Sequence, residues 1–261
     1  MIPTFTTWSL PTLHLGRTVR VYDALPSTNT LALELAGDRV NAGVALLART
    51  QSAGRGQHGR TWTAVPESSV LLSVLLYPPT ELRRPALVTG WAAVSVCETI
   101  LKLADLQATI KWPNDVLIRG KKVCGILIEQ RTVDSSLATV VGIGLNVSQS
   151  ADMFAEAGLP DACSLAMMGT PPLNYETVAK TLLIELDAQY DALLQGDSHT
   201  LETQWKRRLG LLDKQVRVES VHGDLFGCVL DMTFAGIDLE TASGEVRRIL
   251  PQVVRHIVAV Q

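Results

Sequence analysis

The sequence is poor in the features that mark several classes of protein. It has four cysteines, and they are far apart without a C-x-x-C pair, so neither a zinc site nor a disulfide framework is indicated. These are Cys97, Cys124, Cys163 and Cys228. We interpret them as buried thiols in a reducing cytoplasm. The formal net charge is only -3, which gives no general electrostatic reason to bind nucleic acid or an anionic membrane.

Signals for export or membrane insertion are also missing. The N-terminal stretch MIPTFTTWSLPTLHLGR lacks both the basic start and the long apolar core of a signal peptide. No stretch approaches the roughly 20 uninterrupted apolar residues of a membrane span. We therefore expect a cytoplasmic protein that does not enter a membrane.

The common motifs of covalent and metal catalysis are absent as well. The sequence has no G-x-S-x-G elbow, no Ser-His-Asp arrangement and no histidine pair with metal-ligand spacing. A covalent enzyme intermediate therefore lacks an obvious nucleophile. The remaining candidate groups are cations, backbone donors and one carboxylate. They suit a reaction that depends on positioning and charge stabilisation, such as transfer at a nucleotide phosphate.

The pattern of apolar runs predicts an α+β fold. Short turn signals between neighbouring strands indicate a mixed, mainly antiparallel sheet flanked by helices, unlike the strict βαβ alternation of a Rossmann fold. Strands are predicted at 43–50, 69–77, 121–130 and 138–147, and helices at 31–36, at 85–105 and after Pro171-Pro172.

The character of the sequence changes near Gly210. Short β-branched segments separated by Gly, Asp and Ser follow, which is typical of a small β-barrel. We therefore predict two domains, a large one over 1–211 and a small β-barrel domain over 212–261.

A glycine-rich loop, GRGQHGRTW, follows the first predicted strand and runs from Gly54 to Trp62. Its glycines leave backbone N–H groups free to point at an anion, and Arg55 and Arg60 can add charge-assisted contacts. The loop lacks the G-K-[ST] ending of a P-loop and the following helix of a dinucleotide-binding motif. A hairpin with solvated arginines is the alternative. Trp62 can be a core residue, which the sequence slightly favours, or a stacking surface for a base.

A second cluster, KWPNDV, places a cation, an amide and a carboxylate on one turn. Pro113 disfavours helix at the preceding residue, so Lys111, Asn114 and Asp115 are held close together. A carboxylate there can bind Mg²⁺ or orient an amine, and the lysine can neutralise phosphate charge. An ordinary Pro-Asn-Asp turn is the alternative.

Glycines interrupt two neighbouring apolar strands, KKVCGILIE and GIGLN. Gly125 on the first strand, and Gly142 and Gly144 on the second, suggest room for a flat ligand over the sheet. Core glycines without a functional role are the alternative. Strand alternation allows only one of Lys121 and Lys122 to reach such a site.

The small polar stretch PSTN precedes the first predicted helix. Helix capping by Ser27 or Thr28 is its default explanation. Hydrogen bonding to a polar ligand head group is the functional one.

Taken in order, STN, GRGQHGR with its tryptophan, KWPND and KKVCGILIE…GIGLNV resemble the catalytic core of the biotin–protein ligases. The resemblance covers residues 20–150 closely and extends to the β-rich tail. It implies a class II synthetase-like catalytic domain and an SH3-like C-terminal barrel. The implied enzyme is an ATP-dependent biotin–[acetyl-CoA-carboxylase] ligase, which makes biotinyl-5′-AMP from biotin and MgATP. It then moves biotin to one lysine of a biotin carboxyl carrier protein.

The resemblance also implies roles for individual residues. The biotin site would be lined by Ser27, Thr28, Asn29, Gln51, Arg55, Gly56, Gln57 and Lys122. Gly125, Gly142 and Gly144 would form its floor, while Trp62 and Asn146 would meet the nucleotide. Lys111 and Asp115 would lie near the phosphates and the incoming lysine, with Asp115 a ligand of Mg²⁺. Catalysis would rest on Lys111, Asp115, Lys122 and Arg55.

The sequence departs from the family pattern in two places. Many bacterial members carry arginine where this chain has Gln57, so one cationic contact to the intermediate is lost. Only about 20 residues precede the core, too few for the DNA-binding domain of some members, so we expect the monofunctional type without nucleic-acid binding. Two alternatives stay open: a lipoate–protein ligase or octanoyltransferase, and a non-catalytic biotin-sensing module. A sheet edge could pair two subunits, although no residue requires a homodimer.

Overall fold

The first sheet has eight strands. In this computed structural model, which describes residues 4–260 apart from the side chain of His58, the strands follow the order β1-β2-β3-β4-β8-β7-β6-β5. Only β2 and β3 are parallel to each other, and every other neighbouring pair is antiparallel. The strands are β1 (Thr6–Ser9), β2 (Thr18–Leu25), β3 (Ala45–Gln51), β4 (Ser69–Leu76), β5 (Thr109–Lys111), β6 (Asp115–Ile118), β7 (Lys121–Val133) and β8 (Ser136–Asn146). The predicted mixed, mainly antiparallel sheet is confirmed.

Strand β4 shows how the sheet divides two cores. Every residue of β4 is buried, because helices cover both faces of the sheet. Val70, Leu72 and Val74 pack in the larger core, whereas Leu75 packs on the opposite face in a smaller core. Since side chains alternate along a strand, the polar Ser73 shares the face of Leu75.

Within residues 4–260 five α-helices accompany the sheet: α1 (Thr28–Leu35), α2 (Pro85–Ala104), α3 (Ala151–Glu156), α4 (Tyr175–Leu194) and α5 (Ser198–Leu209). As predicted, α2 begins at its proline, and it ends before Asp105, which has left-handed backbone geometry. By length and composition α2 could cross a membrane. Most of it is buried, however, and it packs against α4 and α5, as the core helix of a globular protein does.

A second, smaller sheet follows α5. Its five strands are all antiparallel and follow the order β12-β11-β10-β9-β13. They are β9 (Gln215–Ser220), β10 (Gly223–Thr233), β11 (Gly236–Glu240), β12 (Val246–Ile249) and β13 (Val254–Ala259). The small sheet begins just after residue 212, the predicted start of the second domain. The division into two domains stays a prediction.

Aromatic rings join the small sheet to the rest of the fold. Trp205 on α5 lies between Trp112 and Phe234, with ring centroids 5.9 and 4.7 Å away. The Trp112 indole N–H also donates to the carbonyl of Val254 on β13. Phe234 fits against α2 because Gly90 has no side chain, and a Cβ there would lie 2.5 Å from the ring. These contacts hold the small sheet beside the first one.

Candidate active site

A cavity of about 520 Å³ lies over the first sheet, between the start of α1, the glycine-rich loop and the small sheet. Its volume is within the range of small-molecule sites. All the residues predicted from the sequence motifs line it: Ser27, Thr28, Asn29, Gln51, Arg55, Gly56, Gln57, Trp62, Lys111, Asp115, Lys122, Gly125, Gly142, Gly144 and Asn146. The fold therefore brings together segments that are more than 100 residues apart in the sequence.

The glycine-rich loop forms a closed hairpin beside the cavity. The backbone N–H of Trp62 donates to the carbonyl of Gly54 at 3.0 Å, and that of Gly56 donates to Arg60 at 2.7 Å. Gly54 must be glycine because a Cβ would collide with the carbonyl oxygen of Trp62. Gly59 has a φ of 75°, which favours glycine for a different reason. The loop is thus a shaped element and not a loose linker.

The floor of the cavity differs in one respect from the prediction. The glycines were expected to clear space for a ligand, but side chains of the protein fill that space. The indole of Trp62 covers Gly125 and Gly144, and the amide of Asn29 covers Gly142. Trp62 is half-buried at the cavity and is not a core residue, which corrects the reading that the sequence slightly favoured. Among the described residues, its buried indole N–H has no hydrogen-bond acceptor.

A polar cluster occupies the start of α1. The backbone N–H and the hydroxyl of Thr28 both donate to Oε1 of Gln51, at 2.6 and 3.0 Å. The Ser73 hydroxyl of β4 lies 2.7 Å from the Thr28 hydroxyl and 2.5 Å from Asn29 Oδ1, and its single proton is shared between these two acceptors. Ser27 holds the N-cap position, but its side chain makes no capping hydrogen bond. Capping therefore does not account for these residues, which are fixed in place at the cavity wall.

A lysine and a carboxylate form an ion pair on the other side. Lys122 Nζ lies 2.5 Å from Asp115 Oδ1, and both groups are partly exposed. A register shift between β6 and β7 brings Lys122 round to the cavity, while Lys121 is exposed and does not line it. The prediction that only one of the two lysines reaches the site agrees with this placement. Lys111 is the cross-strand partner of Asp115, so all three charges lie together.

Asn146 lines the cavity with both ends of its amide already bonded. Its Nδ2 donates to the carbonyl of Cys163 at 3.0 Å, and its Oδ1 accepts from Gln149 at 3.0 Å. A contact with a nucleotide would have to use the second N–H of Nδ2, a remaining lone pair of Oδ1 or the face of the amide. Its predicted role stays a prediction.

Sequence reasoning missed several residues at the site. For two of them, the sequence does contain an indication of their position. Ser73 is the one polar residue inside the apolar run of β4, and Glu129 shares a strand face with Gly125. Ser73 and Glu129 lie beside the cavity, whereas Glu219, His256 and Val258 of the small sheet line it. These last three follow no motif, because only the docking of the second sheet brings them there.

The donor groups decide what kind of metal site is feasible. Asp115 is a carboxylate in the cavity near Lys111, but the described residues hold no group of three or more His, Cys, Asp or Glu side chains that could bind a metal. Mg²⁺ commonly binds through one or two carboxylates together with substrate phosphates. The residues present therefore fit a magnesium ion that arrives with a nucleotide.

Comparison with known proteins agrees with this geometry. Over residues 21–146 the chain matches the model of the biotin/lipoate A/B protein ligase family. It is 30% identical over 239 residues to the bifunctional ligase/repressor BirA of Bacillus subtilis, covering 91% of this chain and 74% of that protein. It is 33% identical over 199 residues to the biotin–[acetyl-CoA-carboxylase] ligase of Mycobacterium tuberculosis, covering 74% and 71%.

The structural comparison defines the class of fold. The biotin protein ligase of Aquifex aeolicus, solved in complex with biotin and ATP, superimposes with a TM-score of 0.76 at 23% identity, covering 93% of this chain and 99% of that one. The predicted α+β architecture with its second small sheet is therefore confirmed as a ligase fold. With the sequence relatives included, the chain belongs to the biotin/lipoate A/B protein ligase family.

Proposed function

We propose that this protein is a biotin–protein ligase. It activates biotin with MgATP to biotinyl-5′-AMP and transfers biotin to a specific lysine of a biotin carboxyl carrier protein. The observation that carries the proposal is the convergence of the predicted site residues on one cavity. Relatives named as biotin–[acetyl-CoA-carboxylase] ligases, 33% and 35% identical to this chain, support the same substrate.

In the first step the biotin carboxylate attacks the α-phosphorus of ATP, and pyrophosphate leaves. Negative charge grows on the phosphate oxygens as this happens, and cations placed beforehand stabilise it. Lys111 on β5 and Lys122 on β7 line the cavity from the two sides of β6, and Arg55 lines it from the loop. We assign the stabilisation to these three side chains. The magnesium ion that ATP carries would supply further neutralisation of phosphate charge, with Asp115 as its protein ligand.

In the second step the neutral amine of the acceptor lysine attacks the acyl carbon of the mixed anhydride, and AMP leaves. The amine must lose a proton as the amide forms. Asp115 lies within 2.5 Å of Lys122 and faces the cavity, so its carboxylate can orient the amine or accept the proton. We therefore assign Asp115 chiefly to orienting the amine, with acceptance of the proton as its second role.

The polar cluster at α1 suits the other end of the biotin molecule. The ring of biotin carries a cyclic urea, which both donates and accepts hydrogen bonds. Ser27, Thr28, Asn29 and Gln51 present hydroxyl and amide groups of both kinds at the cavity wall. We therefore place the urea at this cluster and the carboxylate near Lys122.

The acceptor and the cellular setting follow from the same proposal. The partner is a carrier domain that presents one lysine at the cavity mouth. Nucleic acid is not part of the proposal, because the net charge of -3 provides no general attraction to it. The described structure contains only free cysteines, three of them buried, which suits the reducing cytoplasm. As a secondary part of the proposal, two subunits pair through β1, which lies at an edge of the first sheet.

One assay tests the function directly. The purified protein is incubated with radiolabelled biotin, MgATP and a biotin carboxyl carrier domain, and the label on the carrier is measured. We expect labelling that depends on both ATP and the acceptor lysine. Biotin-dependent release of pyrophosphate without the carrier would show the first step alone and would exclude a purely biotin-sensing module.

A substrate panel separates the ligase from its relatives. Lipoate and an octanoyl donor are supplied in place of biotin at equal concentration. Labelling by lipoate or octanoyl groups without labelling by biotin would overturn the proposed substrate while leaving the family assignment intact.

A further inference from the structure

The carboxylate of Glu129 joins the glycine-rich loop to the cavity floor. Its Oε2 accepts a hydrogen bond from Arg55 Nη2 at 2.7 Å and another from Asn29 Nδ2 at 2.9 Å. Arg55 lies in the loop and Asn29 at the start of α1, so one oxygen atom links three separate segments of the chain. None of the sequence motifs assigns a role to Glu129.

The position of Glu129 follows from strand geometry. Gly125, Leu127 and Glu129 alternate along β7, so all three face the cavity side of the sheet. The first two line the cavity itself, while Glu129 stands one step further out, beneath the loop. Its side chain is 23% exposed and that of Arg55 is 42% exposed, so the pair is partly shielded from water.

Other contacts of the loop do not perform the same function. The hydrogen bonds between Gly54 and Trp62 and between Gly56 and Arg60 close the hairpin on itself but do not tie it to the sheet. The Trp62 ring packs on the floor with Lys122 Nζ 5.7 Å from its centroid, but its N–H has no acceptor among the described residues, so the ring makes no hydrogen bond to the sheet. Among the described residues, the Arg55–Glu129 ion pair is thus the hydrogen-bonded link between the loop and β7.

We propose that Glu129 is a positioning residue that docks the glycine-rich loop over the cavity by holding Arg55. It does not touch the substrates. Because Asn29 shares the same oxygen, docking of the loop is coupled to the orientation of the polar cluster at α1. If the loop is docked before the substrates bind, less conformational entropy is lost when it covers them, so they bind more tightly.

Limited proteolysis of the ligand-free protein tests the docking itself. Arg60 is a trypsin site within the loop, and its cleavage rate reports how often the loop opens. We expect Glu129→Gln, which keeps the acceptor for Asn29 but loses the charge, to accelerate cleavage at Arg60 about fivefold, as for a partly exposed ion pair. Arg55→Ala should accelerate it equally, and the double variant should add nothing further. Glu245→Gln, which breaks an exposed Arg247 pair in the small sheet, is the matched control.

Equal cleavage rates in the wild type, Glu129→Gln and Arg55→Ala would overturn the proposal, provided that circular dichroism shows all three to be folded. Additive effects in the double variant would also overturn it, since they would show that the two residues act separately. This assay uses no substrate, so it stands even if biotin is the wrong ligand.

The kinetic consequence rests on the proposed function. In the biotin-dependent pyrophosphate assay we expect Glu129→Gln to lower kcat/KM for biotin about fivefold, chiefly through a higher KM, because the residue holds Arg55 and the loop and does not itself act on the reacting atoms. The KM of Glu129→Asp should lie between that of the wild type and that of Glu129→Gln. A wild type that neither binds nor turns over biotin would refute the function and not the docking. A fall in kcat at unchanged KM would refute the positioning role.

Discussion

The indole ring of Trp62 fills the space directly over Gly144. A Cβ on that glycine would lie 2.5 Å from ring atom Cε2 and 2.8 Å from Cζ2. Gly125, the cross-strand partner of Gly144, has the same ring 2.9 Å from its own missing Cβ. The two strands therefore form a flat floor shaped for an aromatic ring, which in this structure is the protein's own.

This relationship predicts the effect of a single methyl group. Gly144→Ala forces the Trp62 ring or the strand to move, because a contact at 2.5 Å cannot be accommodated. We expect the affinity for biotin, measured by calorimetry, to fall at least about tenfold, or about 1.4 kcal/mol. Gly37→Ala is the control, since a Cβ there meets nothing within 4 Å. Unchanged biotin affinity in Gly144→Ala would show that the position of Trp62 is irrelevant to binding.

The two adjacent lysines at the start of β7 provide an internally controlled test of charge stabilisation. Lys122 pairs with Asp115 at the cavity, whereas Lys121 is exposed on the outside. Lys122→Ala removes a cation near the developing negative charge and leaves Asp115 without its partner. We expect biotin-dependent pyrophosphate release to fall by about 100-fold, and Lys121→Ala to leave it within about twofold. Similar losses in both variants would place the effect in folding and not in catalysis.

Much of this fold could be predicted because its signals are local. The apolar run of β4, the proline at the start of α2 and the turn signals around β6 each act over a few residues, and the structure has these elements where they were expected. The convergence of the motifs was anticipated from a family resemblance and not from the residues alone. Strand parity alone, however, restricted the site to one of Lys121 and Lys122.

The parts that could not be predicted depend on contacts between distant segments. The position of Trp62 over Gly144 depends on how the hairpin folds back on the sheet, and single-residue preference favoured the core instead. His256 reaches the cavity only through the docking of the small sheet, in which Trp112 contacts Val254. Glu129 had a parity signal, but its partner Arg55 lies 74 residues away. Such pairings carry no local trace in one sequence.

The buried thiols predict how stability changes at alkaline pH. Burial raises the pKa of Cys97 to about 12 from an ordinary value of 9.0, and that of Cys163 to about 11. Between pH 9 and these values the unfolded chain loses protons that the folded protein keeps, so the free energy of unfolding falls as pH rises. Each thiol contributes a slope of about 1.4 kcal/mol per pH unit in that window.

Urea unfolding of Cys97→Ala from pH 8 to 10.5 measures this contribution. The variant should be less stable at pH 8, because a cavity replaces the sulfur. Its free energy of unfolding should then fall less steeply above pH 9 than that of the wild type. Parallel curves for the two proteins would mean that Cys97 titrates alike in both states.

The side chain at position 57 should influence how tightly the reaction intermediate is bound. It lines the cavity at the first residue of the short turn Gln57–Gly59, where the family resemblance leads us to expect arginine. Gln57→Arg adds a charge-assisted hydrogen bond to the phosphate of biotinyl-5′-AMP, so we expect dissociation of labelled adenylate to slow about tenfold. The gain should shrink at high salt because added ions screen the new charge. Gln57→Glu reverses the sign and should speed release. An unchanged release rate in Gln57→Arg would mean that this position does not contact the phosphate, and that the glutamine does not weaken binding of the adenylate.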